Sequence, residues 1–530
     1  MISQTQLNTL LEKRQVRWDV HPGEQRRIPR NQPVILLANR LVEGVDELLL
    51  ASLFNELEAT YQIQPTFFLP SSQNDPSGLR GLPDLLERIR TGDTYRHVLE
   101  GLQHRTDEQE SLGILMDFAG GRLLEKIRSR GLNRLLQALL AYQIPIVPLR
   151  LDLLSDHALP AAGARLLQRL RPGPLQIRVR VGAPISVADQ SQFEQVDTFR
   201  RYVQSRIFAL GSDLEVRSFF WRNFRERLKE STEEEAIAAP IDPALIEEEI
   251  QQLSYRHLIA SQSNFDILVA QATEIPNTLQ EIGRLRELTF RQVGEGTGKA
   301  RDIDEYDLYY HQLLIWDREA KQIVGGYRMG KGDEIYAKMG MEGFYIHSLF
   351  EIKPGFVPIM KRSVELGRSY VRPEYQRKRL PLFLLWKGIL FFLLKNPQYQ
   401  YLYGPMSISK YYSDLSKSMI VAFIKKYYFN PYLGAFLKPR KPFRAKVENI
   451  DLDVVMDSLG DEIRQLDSLI EDIEPEHFKV PVLMRQYIKL NARFISFNVD
   501  PNFSDVLDGF IILDLKDVPY SMIEALKKEV

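Results

Sequence analysis

The sequence predicts an α/β protein built from two domains, and three observations support this fold class. Up to about residue 220, short apolar runs alternate with helix-like stretches, which is typical of α/β domains. Residues 229–243 form a charged, proline-containing stretch of the kind that joins domains. The length of 530 residues exceeds what one ordinary core accommodates. We expect an N-terminal α/β domain at 1–225, a linker at 226–250, a mixed α/β domain at 251–450, and an acidic extension packed on that second domain at 451–530.

Each domain has its own series of expected elements. In the N-terminal domain, strands are expected at the apolar runs 34–37, 66–69, 113–116 and 144–148 and at the alternating run 175–181. In the second domain, the order is a helix at 275–291, paired strands at 312–316 and 322–329, a central strand at 363–371, a helix at 380–395 and a strand at 401–408.

Composition excludes several kinds of chemistry. The chain has no cysteine, so disulfides, thiol catalysis and cysteine-ligated zinc are excluded. His311 and His347 lack the spacing of metal ligands, so no metal site is expected. Apolar residues make up 44% and charged residues 26%, as in soluble globular proteins, and the net charge of −1 indicates no particular partner.

The sequence also bears on location. The first residues lack a basic region followed by an apolar core, so no signal peptide is expected. We therefore expect a cytoplasmic location. The most apolar segment, 380–394, falls short of the roughly 20 residues that a membrane helix needs and contains Lys387. It therefore predicts a buried helix.

Charge is distributed unevenly over the second half. Residues 361–446 contain eighteen Lys or Arg and three Asp or Glu, and the stretch from 451 reverses the sign. The basic stretch suits a strongly acidic protein partner or an anionic membrane surface. Alternatively, part of the basic stretch neutralises the acidic stretch that follows it. The basic residues of 438–444 are not accompanied by a nucleic-acid-binding module, so nucleic acid is not an expected partner.

Charged side chains lie at the ends of strand-like runs in the second domain, where a fold can hold an amine beside an activated acyl group. Asp304 and Asp307 precede one strand, and Glu365 and Arg368 lie on the central strand. Glu365 is expected to take the proton of the amine, directly or through a water, while Arg368 holds an acidic partner such as Asp304 or Asp307. Residues three apart face opposite sides of a regular strand, so a bulge or separate roles are required.

This half resembles the N-acyltransferases that start ornithine- and glycine-lipid synthesis and, more distantly, the acyl-homoserine-lactone autoinducer synthases, which share the GNAT fold. The resemblance implies transfer of a fatty acyl group, 3-hydroxylated by family analogy, from acyl carrier protein to the α-amine of glycine, ornithine or a similar amino acid. It implies that Asp304 and Asp307 bind the acceptor's amino group. Arg328 resembles the autoinducer synthases' arginine in the neighbouring strand.

The acyl donor is expected between strands 363–371 and 401–408, where Gly404 allows close backbone approach. A phosphate site is expected where the next helix begins, from Arg377, Lys378 and Arg379. The glycine-rich loop usual in GNAT proteins is absent, as it is in the resembling families, which favours acyl carrier protein over coenzyme A. No bound cofactor is expected beyond that donor thioester.

The N-terminal domain is similar to glycerolipid acyltransferases but lacks their catalytic base. Residues 38–46 match a motif of that family, with Arg40 where the family has histidine and with Asp46 retained. Arginine cannot act as a base near neutral pH. In the second motif Ala119 replaces the glutamate, and the retained residues are Gly120 and Arg122. The resemblance implies a retained fold without O-acyl transfer, acting as a scaffold or docking domain. The alternatives are a lipid-binding or regulatory role, or another base among His21, His97 and His104.

Together these patterns predict an N-acyltransferase of membrane aminolipid synthesis, peripheral on the inner face of the membrane, with acyl carrier protein, an anionic membrane surface and an amino-acid acceptor as partners. One alternative is a non-catalytic membrane-surface or carrier-protein-binding protein with two degenerate acyltransferase folds. The other is a phospholipid O-acyltransferase. The persistence of Glu365, Arg368, Asp304 and Asp307 disfavours the first alternative, and Arg40 with Ala119 disfavours the second.

Overall fold

The chain forms two compact units in a computed structural model. The first unit comprises residues 1–226, 414–419 and 446–479, and the second comprises 227–413, 420–445 and 480–530. The residues that the structure describes are 4–20, 22–30, 32–42, 45–58, 66–70, 86–89, 111–116, 133, 135–154, 174–211, 234–253, 256–376, 378, 380–445, 447, 450–474, 478–501 and 503–528.

The helices, in chain order, are α1 (Gln4–Lys13), α2 (Pro22–Gln25), α3 (Asp46–Glu58), α4 (Val187–Gln190), α5 (Val196–Ala209), α6 (Pro243–Gln252), α7 (Pro276–Gln292), α8 (Gly332–Met339), α9 (Tyr345–Leu349), α10 (Val357–Lys361), α11 (Leu380–Lys395), α12 (Asp414–Tyr427), α13 (Pro431–Gly434), α14 (Leu452–Leu459), α15 (Ile463–Ile473), α16 (Val482–Lys489) and α17 (Tyr520–Lys528).

The first unit is built around a mostly parallel sheet. Its strands are β1 (Val16–Val20), β2 (Ile35–Asn39), β3 (Thr66–Pro70), β4 (Leu86–Ile89), β5 (Leu112–Met116), β6 (Ile146–Leu153) and β7 (Leu175–Val181). Their order is β1-β7-β6-β2-β5-β3-β4, and only β6 and β7 pair antiparallel. Every residue of β2 is buried, as expected for a parallel strand covered on both faces. The α/β class predicted from the alternating pattern is confirmed.

The segment 446–479 packs within the first unit through a buried ionic network. The carboxylate of Asp472 on α15 lies 2.9 Å from the guanidinium groups of both Arg27 and Arg206. Arg180 donates to the Asp472 carbonyl oxygen at 3.1 Å and pairs with Glu24 at 2.7 Å. The sequence predicted a single extension on the second domain from 451 onward. The structure instead groups 446–479 with the first unit and 480–530 with the second.

The second unit is built around an eight-stranded, mostly antiparallel sheet. The strands of this unit, in the main sheet and in a separate pair, are β8 (Leu258–Gln262), β9 (Phe265–Gln271), β10 (His311–Asp317), β11 (Gln322–Lys331), β12 (Phe350–Ile352), β13 (Ser363–Val371), β14 (Tyr401–Ile408), β15 (Leu437–Pro439), β16 (Arg493–Asp500) and β17 (Val506–Asp514). The order is β16-β17-β14-β13-β11-β10-β9-β8, and β12 and β15 form a separate pair.

Helix α11 follows the central strand, as its sequence predicts. It spans 16 residues, and its buried residues include Leu384, Leu385 and Ile389. The ammonium group of Lys387, which is 1% exposed, donates to the side chain of Gln262 at 2.9 Å. Among the helices of the described ranges, none has both the length and the apolar character needed to cross a bilayer.

Candidate active site

A cavity of about 490 Å³ lies where two neighbouring strands separate. β13 and β14 are the parallel pair of the sheet, and their pairing extends only from residues 363–365 to 401–403. Beyond that point both strands line the cavity, through 366–371 on β13 and 402–407 on β14. Strands that have stopped pairing with each other present backbone N–H and C=O groups to an extended ligand.

Gly404 lies at the point of separation. A Cβ added there would overlap the carbonyl oxygen of Leu366 on the neighbouring strand. Only glycine therefore lets the two backbones approach this closely before they diverge.

A bulge at Arg368 lets two of the predicted residues contact neighbouring residues of one helix. The register between β11 and β13 shifts between Gly326 and Arg328, and Arg368 has a φ of +50°. Glu365 and Arg368 consequently reach adjacent residues of α9. The Ile346 N–H donates to Glu365 at 2.7 Å, and Arg368 donates to the Tyr345 hydroxyl at 3.2 Å. A bulge, one of the two arrangements that the odd spacing allowed, is therefore present.

Three arginines and three aspartates form a buried group beside the cavity, which we call the arginine–aspartate cluster. It consists of Arg286, Arg328, Arg368, Asp302, Asp304 and Asp307. Arg368 holds Asp302 at 3.0 Å and lies 3.5 Å from Asp304. Burial raises the pKa of Asp302 and Asp307, but the neighbouring guanidinium groups outweigh burial and hold both pKa values below their usual range. Asp302 and Asp307 therefore remain ionised at neutral pH.

Asp307 is fully enclosed within this cluster. Its carboxylate accepts hydrogen bonds from Arg286, from the Gln312 amide and from the Asp304 backbone N–H. It is not exposed at all, so it has no room for an acceptor's amino group. The side chain of Asp304 is 20% exposed, and it is the cluster carboxylate best able to face a ligand.

Arg286 is, with Asp302, one of two members of the cluster that the sequence analysis did not name. It lies on the buried face of α7, is 1% exposed and binds both Asp302 and Asp307. A cation on the apolar face of an amphipathic helix was the available signal, since such a residue is rarely buried without a partner.

Glu365 faces away from the cavity. Its carboxylate accepts hydrogen bonds from the Tyr310 hydroxyl at 2.6 Å and from the Ile346 N–H, and it is 1% exposed. Burial raises the pKa of Glu365 to about 7, although these two hydrogen bonds oppose the shift. Glu365 is not among the residues that line the cavity, so direct proton transfer from a ligand there does not fit its position. Its contacts instead fix the first turn of α9.

Two other carboxylates do line the cavity, and the sequence analysis named neither. Asp508 on β17 is 2% exposed and accepts a hydrogen bond from the Ser407 hydroxyl at 2.7 Å. Its pKa is raised to about 8, first by burial and then by the charge of Asp500. Burial raises the pKa of Glu295 to about 7. We call these two residues the acidic end of the cavity. The signal for Asp508 was a carboxylate inside the otherwise apolar run 506–513.

One residue of the expected phosphate site, Lys378, lines the same cavity. Gln376 and Lys378 line it just before α11, and Lys378 is exposed, with its ammonium 5.1 Å from the ring centre of Tyr375. The other two basic residues, Arg377 and Arg379, lie outside the described residues. In the part of the chain that the structure describes, no three His, Cys, Asp or Glu side chains are grouped to hold a metal ion.

The N-terminal motif has a structural role in the first unit. Asp46 is buried and accepts hydrogen bonds from the backbone N–H groups of Leu41 and Val42 at 2.7 and 2.9 Å. Arg40 is partly buried beside it. The remaining residues singled out there, Ala119, Gly120, Arg122, His21, His97 and His104, lie outside the described residues.

Comparison with known proteins places this site in a class. Residues 285–386 match the family model described as an acetyltransferase (GNAT) domain, which begins within α7 and ends within α11. The match covers the bulged central strand that separates from its neighbour and the start of the helix that follows it. The chain is therefore a GNAT-type acyltransferase.

The similar proteins define the family further. A glycine N(alpha)-acyltransferase of Phocaeicola vulgatus is 30% identical over 299 residues, which is 54% of this chain and 90% of that protein. One from Bacteroides thetaiotaomicron is 29% identical over 299 residues, covering 87% of its length. An L-ornithine N(alpha)-acyltransferase of Agrobacterium fabrum is 35% identical over 123 residues, 21% of this chain and 39% of that protein. The chain belongs to this N(alpha)-acyltransferase family. No solved structure matches it significantly.

Proposed function

We propose that the protein transfers a fatty acyl group from an acyl carrier protein thioester to the α-amine of an amino acid, as the first step of aminolipid synthesis. The observation that carries this proposal is the cavity between β13 and β14. It offers two unpaired strand edges to an extended donor, and its volume of about 490 Å³ falls within the usual range for small-ligand sites. Charged side chains lie in the same wall, where the acyl group would meet the amine.

The donor is bound along the separated strands, with its phosphate near Lys378 at the mouth of the cavity. An exposed ammonium group before the first turn of α11 suits a phosphate. The basic stretch 361–446 supports acyl carrier protein, which is strongly acidic, as the partner that delivers the thioester. A 3-hydroxylated acyl chain is part of the proposal by family resemblance.

Glycine is the acceptor that we propose first, with ornithine second. The similarity to proteins named for glycine extends over 54% of the chain, whereas that to the ornithine-named protein of A. fabrum extends over 21%. Arg368 and the partly exposed Asp304 lie beside the space where a small amino acid would bind. Glu365 is a positioning residue in this proposal, because it holds α9 and with it the Tyr345 hydroxyl against Arg368.

The first unit is proposed to act as a scaffold or docking domain at the inner face of the membrane, and the protein as a peripheral one. In its motif Arg40 stands where the resembling family has its catalytic histidine, and Asp46 binds backbone N–H groups. An ester-forming second step would then need another protein.

The experiment is a direct assay. Purified protein is incubated with 3-hydroxyacyl carrier protein and a mixture of amino acids, and N-acyl products are identified by mass spectrometry. N-acylglycine as the main product is the expected result, with coenzyme A thioesters as the comparison donor. Absence of product with every donor would instead favour the non-catalytic membrane-surface or carrier-protein-binding protein. Acylation of a lysophospholipid would favour the O-acyltransferase.

A further inference from the structure

We propose that Asp508 is the general base of the reaction, accepting the proton that the acceptor's ammonium group must lose before it attacks. This inference rests on the proposed function. It concerns a residue of β17, more than a hundred positions beyond the end of the GNAT match at 386.

The position of Asp508 is the first support. Asp508 pairs with Ser407 on β14, three residues beyond Gly404, where β14 has already separated from β13. It therefore lies in the wall of the cavity, on the strand that flanks the separated pair.

The surroundings of Asp508 are the second support. Buried carboxylates elsewhere in this unit have cations or several donors: Asp307 binds Arg286, and Glu281 binds Arg284 at 2.6 Å. Among the described residues, no lysine or arginine is within ion-pair distance of Asp508, and the Ser407 hydroxyl is its hydrogen-bond donor. A buried carboxylate without a cation is costly, and a bound ammonium group would offset that cost.

Burial is the main cause of the raised pKa of Asp508, and the groups that face it adjust that pKa further. Asp500 comes from β16, Glu295 from the segment after α7, and both raise its pKa, whereas Ser407 on β14 and Arg368 on β13 lower it. The Tyr345 hydroxyl donates to Asp500 at 3.0 Å. The resulting pKa of about 8 is close to that of an amino group, as efficient general-base catalysis requires.

The proposed step balances simply. One proton passes from the acceptor's ammonium group to the Asp508 carboxylate, and the free amine attacks the thioester carbonyl carbon. The C–N bond forms, the C–S bond breaks, and the departing thiolate takes the second amine proton. Asp508 then releases its proton to solvent.

The test measures the initial rate of N-acylglycine formation against pH. For the wild-type protein, the rate should rise with pH to a plateau, with a midpoint near the pKa of Asp508. In Asp508→Asn we expect a loss of about 10²- to 10⁴-fold and no such rise. The matched control is Asp505→Asn, which changes an exposed carboxylate paired with Lys441 on the same part of the chain and should leave the profile unaltered.

Two further variants should move the midpoint in opposite directions. Ser407→Ala removes the hydrogen bond that favours the ionised form, so the midpoint should shift to higher pH. Glu295→Gln removes a neighbouring negative charge, so the midpoint should shift to lower pH. A purely structural role for Asp508 would produce neither shift.

Three results would overturn the inference. Full activity of Asp508→Asn with an unchanged profile removes Asp508 from the reaction while leaving the N-acyltransferase intact. If Ser407→Ala and Glu295→Gln both keep the pH midpoint of the wild-type protein, Asp508 is likewise removed from the reaction. This result can be obtained even if Asp508→Asn does not fold. Absence of product from the wild-type protein overturns the proposed function and this inference with it.

Discussion

The arginine–aspartate cluster and the acidic end of the cavity are both buried and charged, but they differ in how their charges are matched. In the cluster every carboxylate faces at least one guanidinium group, and the pKa values of Asp302 and Asp307 are lowered. At the acidic end, the pKa values of Asp508 and Glu295 are raised to about 8 and about 7. Matched buried charges hold a structure in one arrangement, whereas an unmatched buried carboxylate is suited to exchange protons or bind a cation.

Breaking the cluster should have the largest effect on stability. Arg286→Met leaves Asp302 and Asp307 buried with one cation fewer, so we expect a loss of about 3–5 kcal/mol in the free energy of unfolding, measured by chemical denaturation. The control is Arg318→Met, because Arg318 is 48% exposed and its ion pair with Asp266 should contribute at most about 1 kcal/mol. Equal losses in the two variants would contradict the role assigned to the cluster.

Replacing Asp508, the carboxylate without a matching cation, should raise the free energy of unfolding rather than lower it, by an amount that depends on pH. The unfolded chain ionises Asp508 above about pH 4, whereas the folded protein retains the proton up to about pH 8. The unfolded state binds fewer protons in this window, so Asp508 lowers stability progressively as pH rises through it. Relative to the wild type, Asp508→Asn should gain several kcal/mol by pH 8, at most about 5, and little near pH 4. Denaturation curves at several pH values would refute this if the two proteins kept a constant difference.

Glu365→Gln sharpens the distinction between the two groups. The glutamine keeps the shape of the side chain but weakens the charge-assisted hydrogen bonds from Tyr310 and Ile346. We expect the activation free energy of the reaction to rise by about 1 kcal/mol, which is a loss of about fivefold in the initial rate of N-acylglycine formation. The pH midpoint should stay in place. A loss of about 10²-fold or more with disappearance of the rising limb would restore Glu365 as the base.

The smallest effect is expected at the mouth of the cavity. Lys378→Ala should raise KM for the acyl donor about two- to fivefold at low salt, and the difference should vanish at high salt, because an exposed charge is screened. Lys438→Ala is the control, since Lys438 is exposed and pairs with Glu351. A salt-independent change in both variants would argue against a phosphate contact at Lys378.

Residues close in sequence were the most predictable part of the site. The apolar runs predicted most strands. The contact of Arg368 with an acid of the 304–307 segment was expected from their opposite charges although the residues are distant in sequence, and Arg368 lies 3.5 Å from Asp304. A bulge was one of two arrangements that the spacing of Glu365 and Arg368 allowed, but its position was not predicted, since the left-handed conformation falls on Arg368 rather than on a glycine.

Residues brought together by pairing between distant strands were not predictable. Asp508 reaches the cavity because β17 pairs with β14, about a hundred residues earlier in the chain. Glu365 attracted attention as a carboxylate on the central strand, yet the side to which it points depends on Tyr310 and α9. No periodicity within one segment encodes either relation.

The path of the chain has a consequence for attempts to study the two units separately. The chain completes most of the first unit, builds the second, returns to the first at 446–479 and ends in the second with β16 and β17. A single cut near 230 would therefore separate the first unit from its own later segments and leave those segments on the fragment that contains the second unit. The N-terminal fragment would lose Asp472 and its three arginine contacts, and the C-terminal fragment would carry 446–479 without its partners. Dissection of this protein calls for replacing 446–479 with a short connection rather than for a single truncation.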